Sequence, residues 1–273
     1  LAALAKGESA LSGVLFSDDS RHFLDCVQKL GIETKVEEDN CNVTVNGHGG
    51  QVPAKDAAIY VGSAGTAARF LAAFLGLSEG THYMDASAQM RKRPMGPLLK
   101  TLTGIGASFL FEGQDGHFPF AVTGAGLLID TSDNEKKRID VSVNINDSSQ
   151  FLSALLLAGV MCRDGLEIHL TGQRDARSYV EISMKMMKEF GCSMEQVEKD
   201  VYKVLPGQHY KARSYQIEPD VSAACYFYAM AAINGGTAQV MHVHRDSSQG
   251  DIQFLKCWRR WDATVKIRRR ESS

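Results

Sequence analysis

The chain has 273 residues, 44% apolar and 23% charged, with a formal net charge of −2 at neutral pH. That balance fits a globular protein with material for a large core, and it lacks the basic excess of a nucleic-acid or membrane-surface binder. The longest apolar run, residues 151–162, is too short and too interrupted to cross a bilayer.

Residues 1–5 carry no secretory pattern, because Lys6-Gly7-Glu8 cuts the apolar stretch at once. They read instead as the middle of a helix, and the first residue is Leu, so a fragment is expected. Six cysteines (Cys26, Cys41, Cys162, Cys192, Cys225, Cys257) form no close pair and mostly sit in apolar segments. Reduced thiols in a cytoplasmic protein are the expectation, rather than a disulfide frame or a zinc site.

Ser17-Asp18-Asp19-Ser20 caps a helix with apolar positions at Phe23, Leu24, Val27 and Leu30, and Gly31 stops it. Two strands follow, Thr34-Lys35-Val36-Glu37 and Asn42-Val43-Thr44-Val45, ending at Gly47. Next comes the short apolar run Ala58-Ile59-Tyr60-Val61, which turns through Gly62-Ser63-Ala64-Gly65-Thr66 into an apolar helix. A strand that turns through glycines into a helix leaves unpaired N–H groups, and the helix dipole adds positive potential there. The pattern predicts a seat for an anion, with glycine admitting the ligand close to the backbone. A helix start that binds nothing is the plainer alternative.

Helix, glycine, hairpin and glycine then recur. A helix to about Leu102 stops at Gly104-Ile105-Gly106, and strands at 108–111 and 118–122 run to Gly124. A helix over 179–190 stops at Gly191, and two strands run to Gly207. Strand–helix–strand precedes each of these two: 59–61, the Gly65 helix and 82–84; then 141–143, a helix from Ser149 and 166–170. The repeating unit is therefore β-α-β-α-β-β, and the first copy lacks its opening strand.

A fourth copy starts at 215–217, with a helix from Asp220 to about Ile233 and a strand over 238–243. There His242 and His244 alternate, but no third metal ligand accompanies them. Asp220 reads as a helix cap. A second helix begins near Asp251, after which the repeat calls for a glycine at 262, where the chain has Asp262. The octet Cys257-Trp258-Arg259-Arg260-Trp261-Asp262-Ala263-Thr264 holds both tryptophans. One back-translation, read in a shifted frame, gives Val-Leu-Glu-Lys-Met-Gly-Cys-Asn and restores the glycine. A frameshifted tail over 257–273 is the expectation.

Five ordered segments resemble the 5-enolpyruvylshikimate-3-phosphate synthase family. They are Leu11-Ser12-Gly13 with Ser17-Asp18-Asp19; Ser63-Ala64-Gly65-Thr66-Ala67-Ala68-Arg69; Arg91-Lys92-Arg93-Pro94-Met95-Gly96; 148–156, beginning Ser148-Ser149-Gln150; and Gln249-Gly250-Asp251-Ile252. The resemblance covers residues 1 to about 256. It implies an α/β fold, an inside-out α/β barrel (alpha-beta prism) of β-α-β-α-β-β repeats. On that frame 1–213 is a substrate-binding domain and 214–256 the start of a second.

The implied reaction transfers the enolpyruvyl group of phosphoenolpyruvate to shikimate 3-phosphate, without metal or organic cofactor. The resemblance puts phosphoenolpyruvate at Ser63, Gly65, Thr66, Arg93 and Gln150, and shikimate 3-phosphate at Ser148, Ser149, Gln150 and Arg177. The chemistry suits two anions: Arg93 offers a planar fork to carboxylate or phosphate, and 148–150 begin a helix. A surface arginine before a proline and a plain N-cap are the bland alternatives.

Two departures stand out: Ala176 replaces a common phosphate-binding serine, and Phe70 a common proline. The family's general acid/base groups and second wall of cations match nothing here, so an inactive fragment that acts as a monomer in the cytoplasm is expected. The alternatives are the sister transferase acting on UDP-N-acetylglucosamine and a non-catalytic anion-binding domain. Neither nucleic acid nor membrane is implied as a partner.

Overall fold

The Ser17 hydroxyl accepts from the Ser20 N–H at 3.3 Å, and the Ser20 hydroxyl accepts from the Ser17 N–H at 2.9 Å. This reciprocal cap satisfies donors that a helix start leaves unpaired. It begins α1 (Asp18–Lys29), which gives out before Gly31 at φ +83°. The chain then folds back as β2 (Thr34–Glu37) and β3 (Asn42–His48), both laid beside the earlier β1 (Lys6–Ser12). The structure, a computed structural model, describes residues 1–127, 139–173, 177–244 and 246–259.

The second repeat is β4 (Ala58–Tyr60), α2 (Gly65–Leu77), β5 (Thr81–Asp85), a short α3 (Ala88–Arg91), α4 (Gly96–Ile105), β6 (Ser108–Phe111) and β7 (Phe120–Thr123). The third is β8 (Ile139–Asn144), α5 (Gln150–Gly159), β9 (Leu166–Thr171), α6 (Arg177–Glu189), β10 (Met194–Glu198) and β11 (Val201–Val204). Gly106 and Gly191 follow α4 and α6 at positive φ, as Gly31 follows α1. The helix–glycine–hairpin figure is thus real in all three places.

The sheets share one plan. Their strand orders are β4-β5-β7-β6 and β8-β9-β11-β10, with the first pair parallel and the others antiparallel. The first repeat lacks an opening strand, and β12 (Ser214–Gln216) takes that place in the order β12-β1-β3-β2. The Ala10 N–H donates to the Arg213 carbonyl at 3.1 Å, and Lys6 forms a parallel bridge with Lys211. The sequence assigns 215–217 to the start of a fourth unit. Hydrogen bonding seats that strand against β1 instead.

Within residues 1–215, helices α2 and α5 lie inside and the sheets outside them. Eleven of the thirteen residues of α2 and eight of the ten of α5 are buried, and these two helices pack on each other and on their neighbours. Outer strands alternate buried and exposed positions, as a sheet with one covered face must. The described strands make three separate four-stranded sheets rather than one closed barrel. Thr101 ties the repeats together, its hydroxyl donating to the Ser142 carbonyl at 2.8 Å.

The chain divides into two compact units, Leu1–Tyr215 and a second from Gln216 onward. In the second, Asp220 caps α7 (Val221–Asn234), accepting from the Ser222 and Ala223 N–H groups at 2.8 and 3.3 Å. A single turn at 250–253 leads into α8 (Phe254–Arg259).

Two further sequence expectations fail. Residues 1–5 form a turn, not a helix, with the Leu4 and Ala5 N–H groups both donating to the Leu1 carbonyl, and the chain already enters β1 at Lys6. Residues 238–243 form no strand, and His242 adopts φ +62° in a turn, so His242 and His244 share no strand face. Among the described residues no strand lies beside it, and apolar alternation alone does not hold an unpaired strand. Most of the tail expected over 257–273 lies outside the described residues.

Candidate functional site

Helix α2 begins at Gly65 without a side-chain cap, because its N-cap residue is Ala64. Its first N–H groups are therefore not closed off by a hydroxyl or carboxylate, which is the local requirement for an anion seat. The turn ahead is held from behind. The Ser63 and Ser87 hydroxyls lie 2.7 Å apart, and the Ser87 N–H donates to the Gly62 carbonyl at 2.9 Å. Gly62 has φ +59°, and a Cβ there would collide with the His22 ring. Any side chain there would have to displace that ring and hold a left-handed backbone, which glycine does without strain.

Two guanidinium groups converge on Gly65. A Cβ on this residue would lie 2.5 Å from Arg69 Nη1 and 2.7 Å from Arg93 Nη1. Glycine is what lets both cations approach the helix start. Arg93 is exposed, and its surroundings aim it there. Ser87 caps α3, Arg91 grips Asp85 with Nη2 at 2.7 Å and Nε at 3.0 Å, and Met95 beyond is fully buried.

Arg69 is buried at 2% exposure on the helix that starts the site. Its Nη1 donates to the Gly65 carbonyl at 3.1 Å and to Gln150 Oε1 at 2.8 Å. Its guanidinium carbon lies 5.4 Å from the centre of the Phe151 ring, a cation–π contact that helps offset the loss of water. Gln150 Nε2 in turn donates to Thr66 Oγ1 at 3.1 Å. Thus Gly65, Thr66, Arg69, Arg93 and Gln150 form one cluster built from α2, α5 and the segment between α3 and α4.

Ser148 and Ser149 adjoin it but are only 7% and 4% exposed. The Ser148 hydroxyl accepts from the Gln150 N–H at 3.2 Å, so it closes the start of α5; Ser149 has helical backbone and no side-chain cap. Arg177 opens α6, its side chain outside the described set, and Ala176 lies wholly outside it.

Sequence reasoning places Arg69 within a motif without giving it a task. A signal was present: a lone charge four residues after the glycine in an otherwise apolar helix. The Asp85–Arg91 pair and Ser87 left no comparable trace. Among the described residues, Asp140, Glu167 and His169 bring one ligand atom each within 4.8 Å of one another, on the parallel pair β8 and β9. No sequence signal marks them.

The cluster can bind and orient negative charge. It offers an open helix start, a planar cationic fork, an amide NH2 and a hydroxyl, but no carboxylate or imidazole among its members to move a proton. Elsewhere burial pushes the thiols of Cys26 and Cys192 up to about 11 and that of Cys162 to about 12, so they are inert.

The profile of a family described as EPSP synthase (3-phosphoshikimate 1-carboxyvinyltransferase) matches residues 1–272. The 3-phosphoshikimate 1-carboxyvinyltransferase of a Nostoc species is 38% identical over 255 residues, covering 93% of this chain and 58% of its own length. That of Vibrio campbellii is 34% identical over 268 residues, covering 97% and 61%. The chain thus spans about three fifths of the length of these curated relatives. An EPSP synthase structure from Acinetobacter baumannii superposes with a TM-score of 0.73 at 25% identity, over 94% of this chain and 55% of that one. A second from the same organism gives 0.68 at 26% identity, over 85% and 49%.

Proposed function

This chain belongs to the EPSP synthase family, and on that premise we propose that its cluster at Gly65 takes part in transferring the enolpyruvyl group of phosphoenolpyruvate to shikimate 3-phosphate. The observation that carries the reading is the convergence of Arg69 and Arg93 on Gly65, with Gln150 bridging Arg69 to Thr66. Phosphoenolpyruvate carries a phosphate and a carboxylate on a three-carbon frame. An uncapped helix start receives one such group, and the Arg93 fork receives a planar anion at its side. Ser63, Gly65, Thr66, Arg93 and Gln150 are assigned to phosphoenolpyruvate, and Ser148, Ser149, Gln150 and Arg177 to shikimate 3-phosphate.

The two substrates repel one another, so bringing them together requires cationic groups between and around them. Arg93 and the α2 start supply that on one side. The reaction also needs a proton delivered to the phosphoenolpyruvate methylene and removed from the attacking hydroxyl, which no member of the cluster performs. Binding without turnover is therefore the expected behaviour of these 273 residues. The free, buried thiols fit a reducing compartment, and we place the protein in the cytoplasm as a monomer acting on small anions.

Calorimetric titration with phosphoenolpyruvate and with shikimate 3-phosphate, followed by a phosphate-release assay at saturation of both, tests the reading. Measurable binding that Arg93→Ala abolishes, without phosphate release, is expected. No binding of either ester would overturn the site, and sustained phosphate release would overturn the division between binding and catalysis.

A further inference from the structure

We infer that Arg69 is a positioning residue that fixes the polarity of the Gln150 side-chain amide, so that a bound anion meets its NH2 and not its carbonyl. The inference rests on the anion site proposed above and assigns Arg69 a task within it.

An amide side chain has two ends of opposite character and similar shape. Near a cluster of cations and an anionic ligand, which end faces the ligand decides between a donor and a repelled acceptor. Arginine settles this by its chemistry: a guanidinium donates only, so the Gln150 atom 2.8 Å from Arg69 Nη1 has to be the oxygen. The NH2 is then left on the Thr66 side, where it donates to the Thr66 hydroxyl at 3.1 Å. One of its two N–H bonds is used there, and the other remains for a ligand at the α2 start.

Arg69 is itself immobilised. It is 2% exposed, its Nη1 is also held by the carbonyl of Gly65 one turn back, and its guanidinium lies over Phe151, the residue next to Gln150. The reference point for the amide is therefore tied both to the helix start that seats the anion and to the helix that carries the glutamine. Lysine would keep the charge, but its side chain is one atom shorter and it has no planar guanidinium to lie over Phe151.

The test uses the full 273-residue chain with isotopic labelling and follows the Gln150 side-chain NH2 by NMR, alongside calorimetric titration with phosphoenolpyruvate. In the unmodified chain the two NH2 protons are expected at well-separated, solvent-protected positions. In Arg69→Lys and Arg69→Met they are expected to move to the positions of free glutamine amides while the backbone spectrum stays dispersed. Gln150→Glu, which puts an acceptor at both ends, is expected to weaken phosphoenolpyruvate binding at least about tenfold, the scale of one hydrogen bond to a charged group. Gln150→Met, which removes both ends, is expected to weaken it less.

Free-glutamine positions in the unmodified chain, or an unchanged NH2 pair in both folded Arg69 variants, overturn the inference. Should the Arg69 variants unfold, the two Gln150 variants decide: equal affinities overturn it, and the predicted order supports it. A chain whose Gln150 amide depends on Arg69 but which binds no phosphoenolpyruvate keeps the inference and discards the site reading. Binding with an Arg69-independent amide does the reverse.

Discussion

Helices α2 and α7 are both apolar on nearly every side, yet they meet opposite fates. α2 is buried along almost its whole length and begins with no side-chain cap. α7 leaves Tyr226, Phe227, Met230 and Ile233 more than half exposed and begins under a well-made Asp220 cap. The comparison separates two properties that composition alone would merge. Burial is conferred by neighbours, and α2 has α4 and α5 against it. Capping is conferred by one residue, and it decides whether the positive end of a helix is spent on its own chain or left for a ligand.

The largest way to break the comparison is through burial. Leu71→Ala on α2, at 3% exposure, is expected to cost about 2–5 kcal/mol, since it removes packed atoms and leaves a cavity. Ile233→Ala on α7, at 74% exposure, is expected to stay within about 0.5 kcal/mol. Urea unfolding of both variants measures the contrast; equal losses would show that α7 is covered in solution.

Next comes the helix start. Gly65→Ala drives a methyl group into both guanidinium groups while adding a good helix former. Phosphoenolpyruvate affinity is expected to fall at least about tenfold, roughly 1.4 kcal/mol, and the melting temperature to fall with it, because Arg69 at 2% exposure has little room to withdraw from the new methyl group. Calorimetry beside a thermal melt checks it, and unchanged affinity would mean that the ligand does not use this edge of α2.

Exchanging the caps is a smaller effect. Asp220→Ala is expected to cost about 1 kcal/mol of stability. Ala64→Ser is expected to steady α2 by a similar or smaller amount while weakening phosphate-ester binding, because the new hydroxyl competes for the same N–H groups. Denaturant melts with and without phosphoenolpyruvate distinguish the two results.

The smallest effect is a dependence on pH. Burial holds the His82 imidazole below its ordinary value of 6.5, and Lys55 pushes in the same direction. Below about that value the unfolded chain takes up a proton that folded His82 refuses, so stability is full above it and declines as pH falls toward the lowered folded value. His82→Gln is expected to flatten that part of the profile in melts between neutral and mildly acidic pH.

Much of this was legible in the chain. Ser17 and Asp220 announce helix starts by chemistry that acts over three residues, and Gly31, Gly106 and Gly191 announce the ends. Gly65, Thr66, Arg93 and Gln150 could be named because each stands in a recognisable short segment. Residues 1–5 and 238–243 misled for the same reason, since their local patterns were plausible and their surroundings decided otherwise.

By itself the sequence determined the cap that starts α1, the glycines that end α1, α4 and α6, and the repeated order of elements up to β11. Those follow from interactions between near neighbours, which any stretch of chain carries with it. Only the tertiary structure seated β12 beside β1, buried Arg69 between Gly65 and Gln150, and gave that glutamine an orientation. The Arg69–Gln150 bond spans 81 positions. A periodic pattern says which face of a helix is covered, but not which distant residue covers it; that choice is made when helices pack.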